Sequence, residues 1–187
     1  MRGADPLAER LADGDPGAPR DLVERHHAEL HRYTLTLLRD ASEAEDAVQE
    51  AFERAFAALG RYQGERIRAL ALRAWLYRIA LNVVRNTWRK RRPEPLTAET
   101  LEGVNGRIET TSVSGPDREA WLDTLAALGR LPERQRVAVT LRYFEDLPYA
   151  GISEVTGWPE NTCKTLVRRG IGRLGALLDA PDRSGGR

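Results

Sequence analysis

Cysteine, methionine and histidine are scarce in this chain, and long apolar runs are missing. Its 187 residues include one cysteine, Cys163, one methionine and three histidines. A lone cysteine excludes an intramolecular disulfide, so packing alone must hold the fold, and a reducing compartment is the simpler setting. No stretch approaches the about 20 apolar residues that span a bilayer. The opening Met1-Arg2-Gly3-Ala4-Asp5-Pro6 lacks the apolar run of a signal peptide. The expectation is a cytoplasmic protein with no membrane partner. Net charge is nearly absent as well: 29 Lys plus Arg against 28 Asp plus Glu leave +1. That excludes a uniformly basic coat protein, but not nucleic-acid binding, because the local field decides. Gly-rich phosphate loops, Ser-His-Asp sets and nucleophilic Cys-His pairs are absent too. No catalytic residue and no cofactor is assigned.

What is present is helical periodicity. Residues 1–19 are rich in Gly, Pro, Ala and Asp and read as a loose N-terminal arm. Leu22, Val23, Leu30, Tyr33 and Leu37 then recur at helical spacing between Arg20 and Arg39. Ser42-Glu43-Ala44-Glu45 has the form of a capping box and opens a second helix. Its stripe is Ala47, Val48, Ala51, Phe52, Ala55, Phe56 and Leu59, and Gly60 ends it. A short polar loop, Gly60 to Arg66, leads to a third, longer helix carrying Leu72, Leu76, Ile79, Ala80, Val83 and Val84, which Pro93 stops. Residues 93–116 lose periodicity and read as a flexible, mildly acidic linker. Beyond it, a helix through Trp121, Leu122, Leu125 and Leu128 comes first. Pro132 opens the next, with Val137, Leu141, Tyr143 and Phe144 as its apolar residues. A short helix from Pro148 to about Thr156, Gly157, and a long helix from Pro159 to about Leu178 complete the pattern. No strand pattern competes. The fold class expected is all-α, with two small helical domains at 20–92 and 117–179 and a tail at 180–187.

Three surfaces stand out. The last two helices have helix-turn-helix spacing: Ile152 and Val155 face inward, Gly157 permits a left-handed turn, Trp158 plugs the junction, and Cys163, Leu166 and Val167 pack the second helix on the first. Glu160, Asn161, Thr162, Lys164, Thr165, Arg168 and Arg169 are left outward, and these side chains suit a major groove. A plain helical hairpin with a solvated face would show the same spacing. The end of the third helix, Arg85 to Arg92, sets cations beside Trp88, a combination suited to phosphates and unstacked bases. A solubilising helix end that complements the helix dipole is the competing reading. The outer face of the second helix, with Glu43, Asp46, Gln49, Glu50 and Glu53, is acidic and would repel DNA. It is either ordinary surface or a docking face for a basic partner. His27 and His31 stand at i, i+4, as in a two-histidine zinc site, next to His26. A third ligand in the proper register is missing, so no metal is assigned.

The residues then become familiar. Asp46-Ala47-Val48-Gln49-Glu50-Ala51-Phe52 resembles the D-x-V-Q-E-x-F segment of region 2 of bacterial RNA polymerase sigma factors. Ala74-Trp75-Leu76-Tyr77-Arg78-Ile79-Ala80-Leu81-Asn82 resembles the T-W-L-Y-R-I-A-x-N segment that follows it. Leu131 to Arg136, with Leu141-Arg142-Tyr143-Phe144-Glu145-Asp146-Leu147, resembles the start of region 4, and Gly157 to Arg169 its helix-turn-helix. The order is the family's, and the match points to the small two-domain extracytoplasmic-function (ECF) type.

That resemblance implies a non-enzymatic promoter-specificity subunit. Asp46, Gln49, Glu50 and Glu53 would dock on the β′ clamp coiled coil of core RNA polymerase. The third helix and its preceding loop, through Tyr62, Trp75, Arg78, Asn82, Arg85, Trp88 and Arg89, would hold the −10 element. Trp75 matches one of two strand-opening tryptophans of housekeeping sigma factors, and Leu76 stands at the other position. Glu160, Asn161, Thr162, Lys164, Thr165, Arg168 and Arg169 would read the −35 element from the β flap, with the linker in the RNA exit channel. An anti-sigma factor is a further implied partner. The sequence departs from the family pattern at Leu72 (commonly Phe), Ala150-Gly151 (commonly acidic), Cys163 (commonly Val) and Gly170 (commonly Ala). A free-standing helix-turn-helix regulator is the second reading, and a metal-dependent hydrolase built on the histidine pair is a remote third.

Overall fold

A computed structural model describes residues 5–90 and 116–178, with the backbone alone described for 116–120. The linker at 93–115 and the tail at 180–187 lie outside these residues, as do Arg91 and Arg92. Among the described residues every regular element is helical and no strand occurs.

The first helix lies where a loose arm was expected. Helix α1 (Pro6–Ala12) is capped by Asp5, whose carboxylate accepts from the Leu7 amide at 3.0 Å, with Pro6 preset for the first turn. Leu7 and Ala8 are buried. The short apolar pair escapes a periodicity test but suffices to dock the segment. Exposed pairs of Arg10 with Asp15 and Asp21 add little by comparison.

Helix α2 (Ala18–Leu38) ends where Arg39 takes a left-handed conformation at φ 60°. Helix α3 (Ala41–Leu59) follows after Arg39 and Asp40. Its cap is Asp40 rather than Ser42: Asp40 is extended and accepts from the Glu43 amide at 3.0 Å. The chain's tight reversal at Arg39 puts the extended Asp40 two residues after the end of α2, leaving Ser42 already inside the first turn. Glu45, freed from capping, faces α2 instead. The polar loop expected at 60–66 contains one further turn, α4 (Gly64–Arg68), which buries Ile67. Helix α5 (Leu72–Lys90) runs through this bundle, burying Leu72, Leu76, Tyr77, Ala80, Val83 and Val84. Tyr33 and Tyr77 meet edge to face at 4.9 Å between ring centroids.

The second module starts with α6 (Pro116–Gly129) and α7 (Glu133–Val139), with Pro132 as the extended cap residue rather than the first helical one. Helix α7 runs on into a wide π-type turn at Thr140–Phe144, closed by the Glu145 amide on the Thr140 carbonyl at 3.2 Å. That turn overturns one expectation. Tyr143 is 61 % exposed, whereas Glu145 is fully buried. The extra residue in the π turn shifts the helical phase, so the polar Glu145 enters the interior and Tyr143 leaves it. Helices α8 (Tyr149–Thr156) and α9 (Glu160–Leu178) follow.

The two modules share their cores. Leu141, Leu147, Ile152, Val155 and Cys163 belong to the same apolar cluster as Leu30, Leu76 and Val84. Leu35 and Ala44 join Leu125, Leu128 and Leu131 in another. No helix among the described residues is long and apolar enough to cross a membrane.

Candidate nucleic-acid interface

Helices α8 and α9 make the helix-turn-helix. Gly157 has φ 74°, the left-handed conformation that lets the chain turn between them. Ile152, Val155, Cys163 and Val167 are buried in the junction, and Leu166 is half-buried. Cys163 points its Sγ at the Trp158 carbonyl, 3.7 Å away, and burial pushes its thiol up, as befits a small core residue. Glu160, Asn161, Lys164, Arg168 and Arg169 are exposed together, while Thr162 and Thr165 are half-buried beside them. The Thr165 hydroxyl donates to the Asn161 carbonyl. All seven side chains expected to read DNA therefore lie on α9 or its first turn, and none of the fully exposed ones is turned into the core.

Helix α9 lies very close to α7. A Cβ placed on Gly170 would come within 2.5 Å of Val139 Cγ2 and 3.4 Å of Gln135. Glycine at this position therefore reflects a close helix approach.

The second basic surface is α5 with the loop before it. The Tyr62 and Trp75 rings lie 6.3 Å apart, and Arg66 stacks on Tyr62 with its guanidinium carbon 3.8 Å from the centroid. Sequence periodicity gave no hint of Arg66, because the pairing depends on α4. One turn further along, Arg78 and Asn82 are exposed, and Arg85, Asn86 and Trp88 are half-buried. With Arg89 and Glu133, four of these (Asn82, Arg85, Asn86 and Trp88) line a cleft of about 450 Å³.

The acidic face sits on α3. Asp46, Gln49 and Glu53 are exposed and Glu50 is half-buried. The Gln49 amide donates to Glu53 at 3.0 Å, and Glu50 pairs with Arg54 one turn on. Below it, Glu45 lies 3.3 Å from His27 and 3.7 Å from His31. Burial and the neighbouring His27 hold the His31 imidazole below its ordinary value, despite the opposing pull of Glu45. His26 turns the other way and is buried against Glu29.

Between the surfaces lies a buried charged group that sequence reasoning missed. The Glu145 carboxylate accepts from Arg32 through Nε at 3.2 Å and Nη2 at 2.9 Å, and from the Tyr77 hydroxyl. Burial pushes Glu145 up, against these hydrogen bonds. Burial and then Glu145 push the Tyr77 hydroxyl far up as well. Arg73 donates to the Glu145 carbonyl at 2.8 Å and to Glu29 at 2.9 Å. Burial of Glu29 is outweighed by its bonds from His26 and Arg73, so its carboxyl lies below the usual range.

The fold and these surfaces define a class: a two-module DNA-binding protein, all-helical among the described residues, with a helix-turn-helix, a basic aromatic helix and an acidic face. Residues 22–94 match the family model described as Sigma-70 region 2, and residues 122–174 that of Sigma-70, region 4. The chain is 36 % identical over 172 residues to the RNA polymerase sigma-H factor of Pseudomonas aeruginosa, covering 87 % of each. It is 32 % identical to the ECF RNA polymerase sigma-E factor of Haemophilus influenzae, covering 87 % of this chain and 88 % of that one. Among solved structures, CnrH in complex with the cytosolic domain of CnrY is similar at a TM-score of 0.69 and 27 % identity, over 94 % of this chain and 96 % of that one. The sigma factor RpoE of Bartonella quintana, crystallised with the anti-sigma factor NepR, shares the fold at a TM-score of 0.65 and 23 % identity, over 87 % and 97 %. The chain belongs to the RNA polymerase sigma factors of the ECF type. Its function is that of a transcription initiation factor, which recognises −10 and −35 promoter elements.

Proposed function

We propose that this chain divides its work by charge, residues 20–92 holding core polymerase and the −10 element and residues 117–179 the −35 element. Asp46, Gln49, Glu50 and Glu53 on α3 dock on a basic surface of core polymerase, the β′ clamp coiled coil. Tyr62, Trp75, Arg78, Asn82, Arg85, Trp88 and Arg89 receive the opened −10 strand. Aromatic faces stack on bases while the guanidinium groups neutralise phosphates. Glu160, Asn161, Thr162, Lys164, Thr165, Arg168 and Arg169 enter the major groove at −35, with the module resting on the β flap. The protein performs no catalysis of its own and works in the cytoplasm beside the polymerase. An anti-sigma factor is a fitting further partner, since the similarly folded sigma factor RpoE was crystallised with the anti-sigma factor NepR.

The observation that carries this reading is the segregation of like charges onto separate helices: carboxylates on α3, cations with aromatics on α5, and mixed polar readers on α9. Purified chain mixed with sigma-free core enzyme is expected to co-elute with it and to support run-off transcription from a genomic template library. Sequence-specific duplex binding by the chain alone, with no association with core enzyme, would instead favour a free-standing regulator.

A further inference from the structure

Helix α1 and the turn α4 lie far apart in sequence, yet they pack on each other. One end of α1 is anchored to the bundle. Leu7 and Ala8 are buried in the same apolar cluster as Leu22 of α2 and Leu72 of α5, and Asp5 lies 3.2 Å from Arg25 of α2. The other end meets α4. The Ala12 carbonyl oxygen and Cβ lie 3.4 and 3.8 Å from where a Cβ on Gly64 would stand, so the two elements touch at backbone level. Asp13, the residue that closes α1, accepts from Arg68 Nη2 at 2.5 Å.

The turn α4 has little of its own to keep it folded. It is five residues long, and its extended cap residue, Gln63, makes no side-chain capping bond. A single isolated turn does not offset the entropy of its own nucleation. Its conformation therefore comes from its packing, with Ile67 buried beneath it and α1 at its side. That conformation carries outward. Arg66 follows Tyr62 by four residues and lies over its ring at 3.8 Å, and the Tyr62 ring stands 6.3 Å from that of Trp75. Four residues advance about 6 Å in a helical turn but about 13 Å in an extended chain. An unwound α4 would carry Arg66 off the ring.

We infer that α1 is a positioning element of the −10 surface: docked on α4 through Ala12 and Asp13, it holds the turn that sets Arg66 over Tyr62 beside Trp75, and so sets how strictly −10 bases are discriminated. The effect on discrimination rests on the −10 assignment proposed above; the docking of α1 on α4 does not. Exposed ion pairs contribute little to stability, so the burial of Leu7 and Ala8 keeps α1 in place while Asp13 and Arg68 fix its register on α4. Neither Asp13 nor Arg68 has to touch DNA for this.

The test uses the full chain as wild type, Leu7→Ser, Asp13→Arg, and Asp13→Arg combined with Arg68→Asp. Leu7→Ser undocks α1. Asp13→Arg sets two guanidinium groups where an ion pair of 2.5 Å stands, and the double variant restores the pair with its signs exchanged. Circular dichroism reads helicity. Proton–nitrogen NMR reads the Trp75 indole N–H, identified by its loss in Trp75→Phe. A barcoded template library randomised over the −10 and −35 elements, transcribed with sigma-free core enzyme, reads base preference. Leu7→Ser and Asp13→Arg are expected to move the Trp75 resonance at unchanged helicity, and the exchanged pair to return it. Discrimination at −10 should fall about tenfold in Leu7→Ser, within the range that one mismatched base pair costs, and less in Asp13→Arg. Preference at −35 and co-elution with core enzyme should match the wild type. Should Leu7→Ser lose helicity, the exposed Asp13 pair decides. A Trp75 resonance that does not move, or that the exchanged pair does not return, overturns the positioning. A moved resonance with intact −10 preference, or equal relaxation at −10 and −35, overturns the role in discrimination. A chain whose Trp75 responds and recovers as described yet ignores core polymerase supports the positioning and refutes the proposed function, so the two failures are distinguishable.

Discussion

Helices α5 and α9 are both long, both about equally amphipathic in pattern and both basic on the outside, yet the molecule treats them differently. The outer face of α9 is exposed at Glu160, Asn161, Arg168 and Arg169, and its contacts, such as Lys164 over Tyr149 and Thr165 on Asn161, stay within the helix-turn-helix. The corresponding face of α5 is partly taken up by Glu154, Arg136, Trp158 and Glu133 from the other module. A surface that must hold unstacked bases is apolar and cationic, and such a surface binds carbonyls, carboxylates and guanidinium groups of its own chain when DNA is absent. A face that reads intact duplex is polar and well hydrated, and is stable uncovered. On the proposed assignment, the difference between the two helices is a difference between melting and reading DNA.

The comparison can be broken most severely through α3, the third exposed face. Reversing Asp46→Lys together with Glu50→Lys should abolish core binding, a loss on the order of a hundredfold or more for charges at an interface centre. Helicity should stay unchanged, because Asp46 is exposed and Glu50 half-buried. A pull-down with normal polymerase yield would count against the docking face. Next in size is Gly170→Ala. The added methyl meets the buried, β-branched Val139 at 2.5 Å. Overpacking of about 1–3 kcal/mol is expected to outweigh the about 1 kcal/mol gained in helix propensity, and thermal denaturation should show a lower Tm. An unchanged or raised Tm would mean that α7 and α9 can separate freely.

Arg168→Ala sharpens the comparison directly. If Arg168 contacts a base, upstream-element affinity falls by about 1–3 kcal/mol. An unchanged affinity would remove Arg168 from the residues proposed to read that element. The smallest effect concerns pH. His31 is held below its ordinary value, so its contribution to stability is complete above the unfolded value near 6.5 and is lost as the pH falls from there through the lower folded value. Denaturation of the wild type between about pH 7.5 and about pH 5.5 should therefore show a steeper decline than that of His31→Gln. Parallel curves would exclude His31 as the source of the slope.

Much of this was readable in advance because it depends on local rules. The apolar stripe of α3 from Ala47 to Ala55, the left-handed Gly157 and the outward set on α9 follow from helical period and turn chemistry. Local rules failed where a short segment took its structure from a neighbour. Helix α1 has one buried apolar pair and no periodicity to detect, and α4 is too short to show any. Asp40 displaced Ser42 as a cap because the tight end of α2 set the phase. Among site residues, Arg66 could not be paired with Tyr62, because that contact needs the short α4 turn, nor Glu45 with the histidines, because that contact crosses between helices.

The sequence by itself determined the helices, their inner faces and the separation of acid from base along the chain, because each depends on neighbours within a turn or two. Only the tertiary structure decided that Glu145 is buried and Tyr143 exposed. Its partners Arg32 and Tyr77 lie 113 and 68 residues away. A carboxylate enters a core only where distant cations are already placed to receive it, and no local pattern records that meeting.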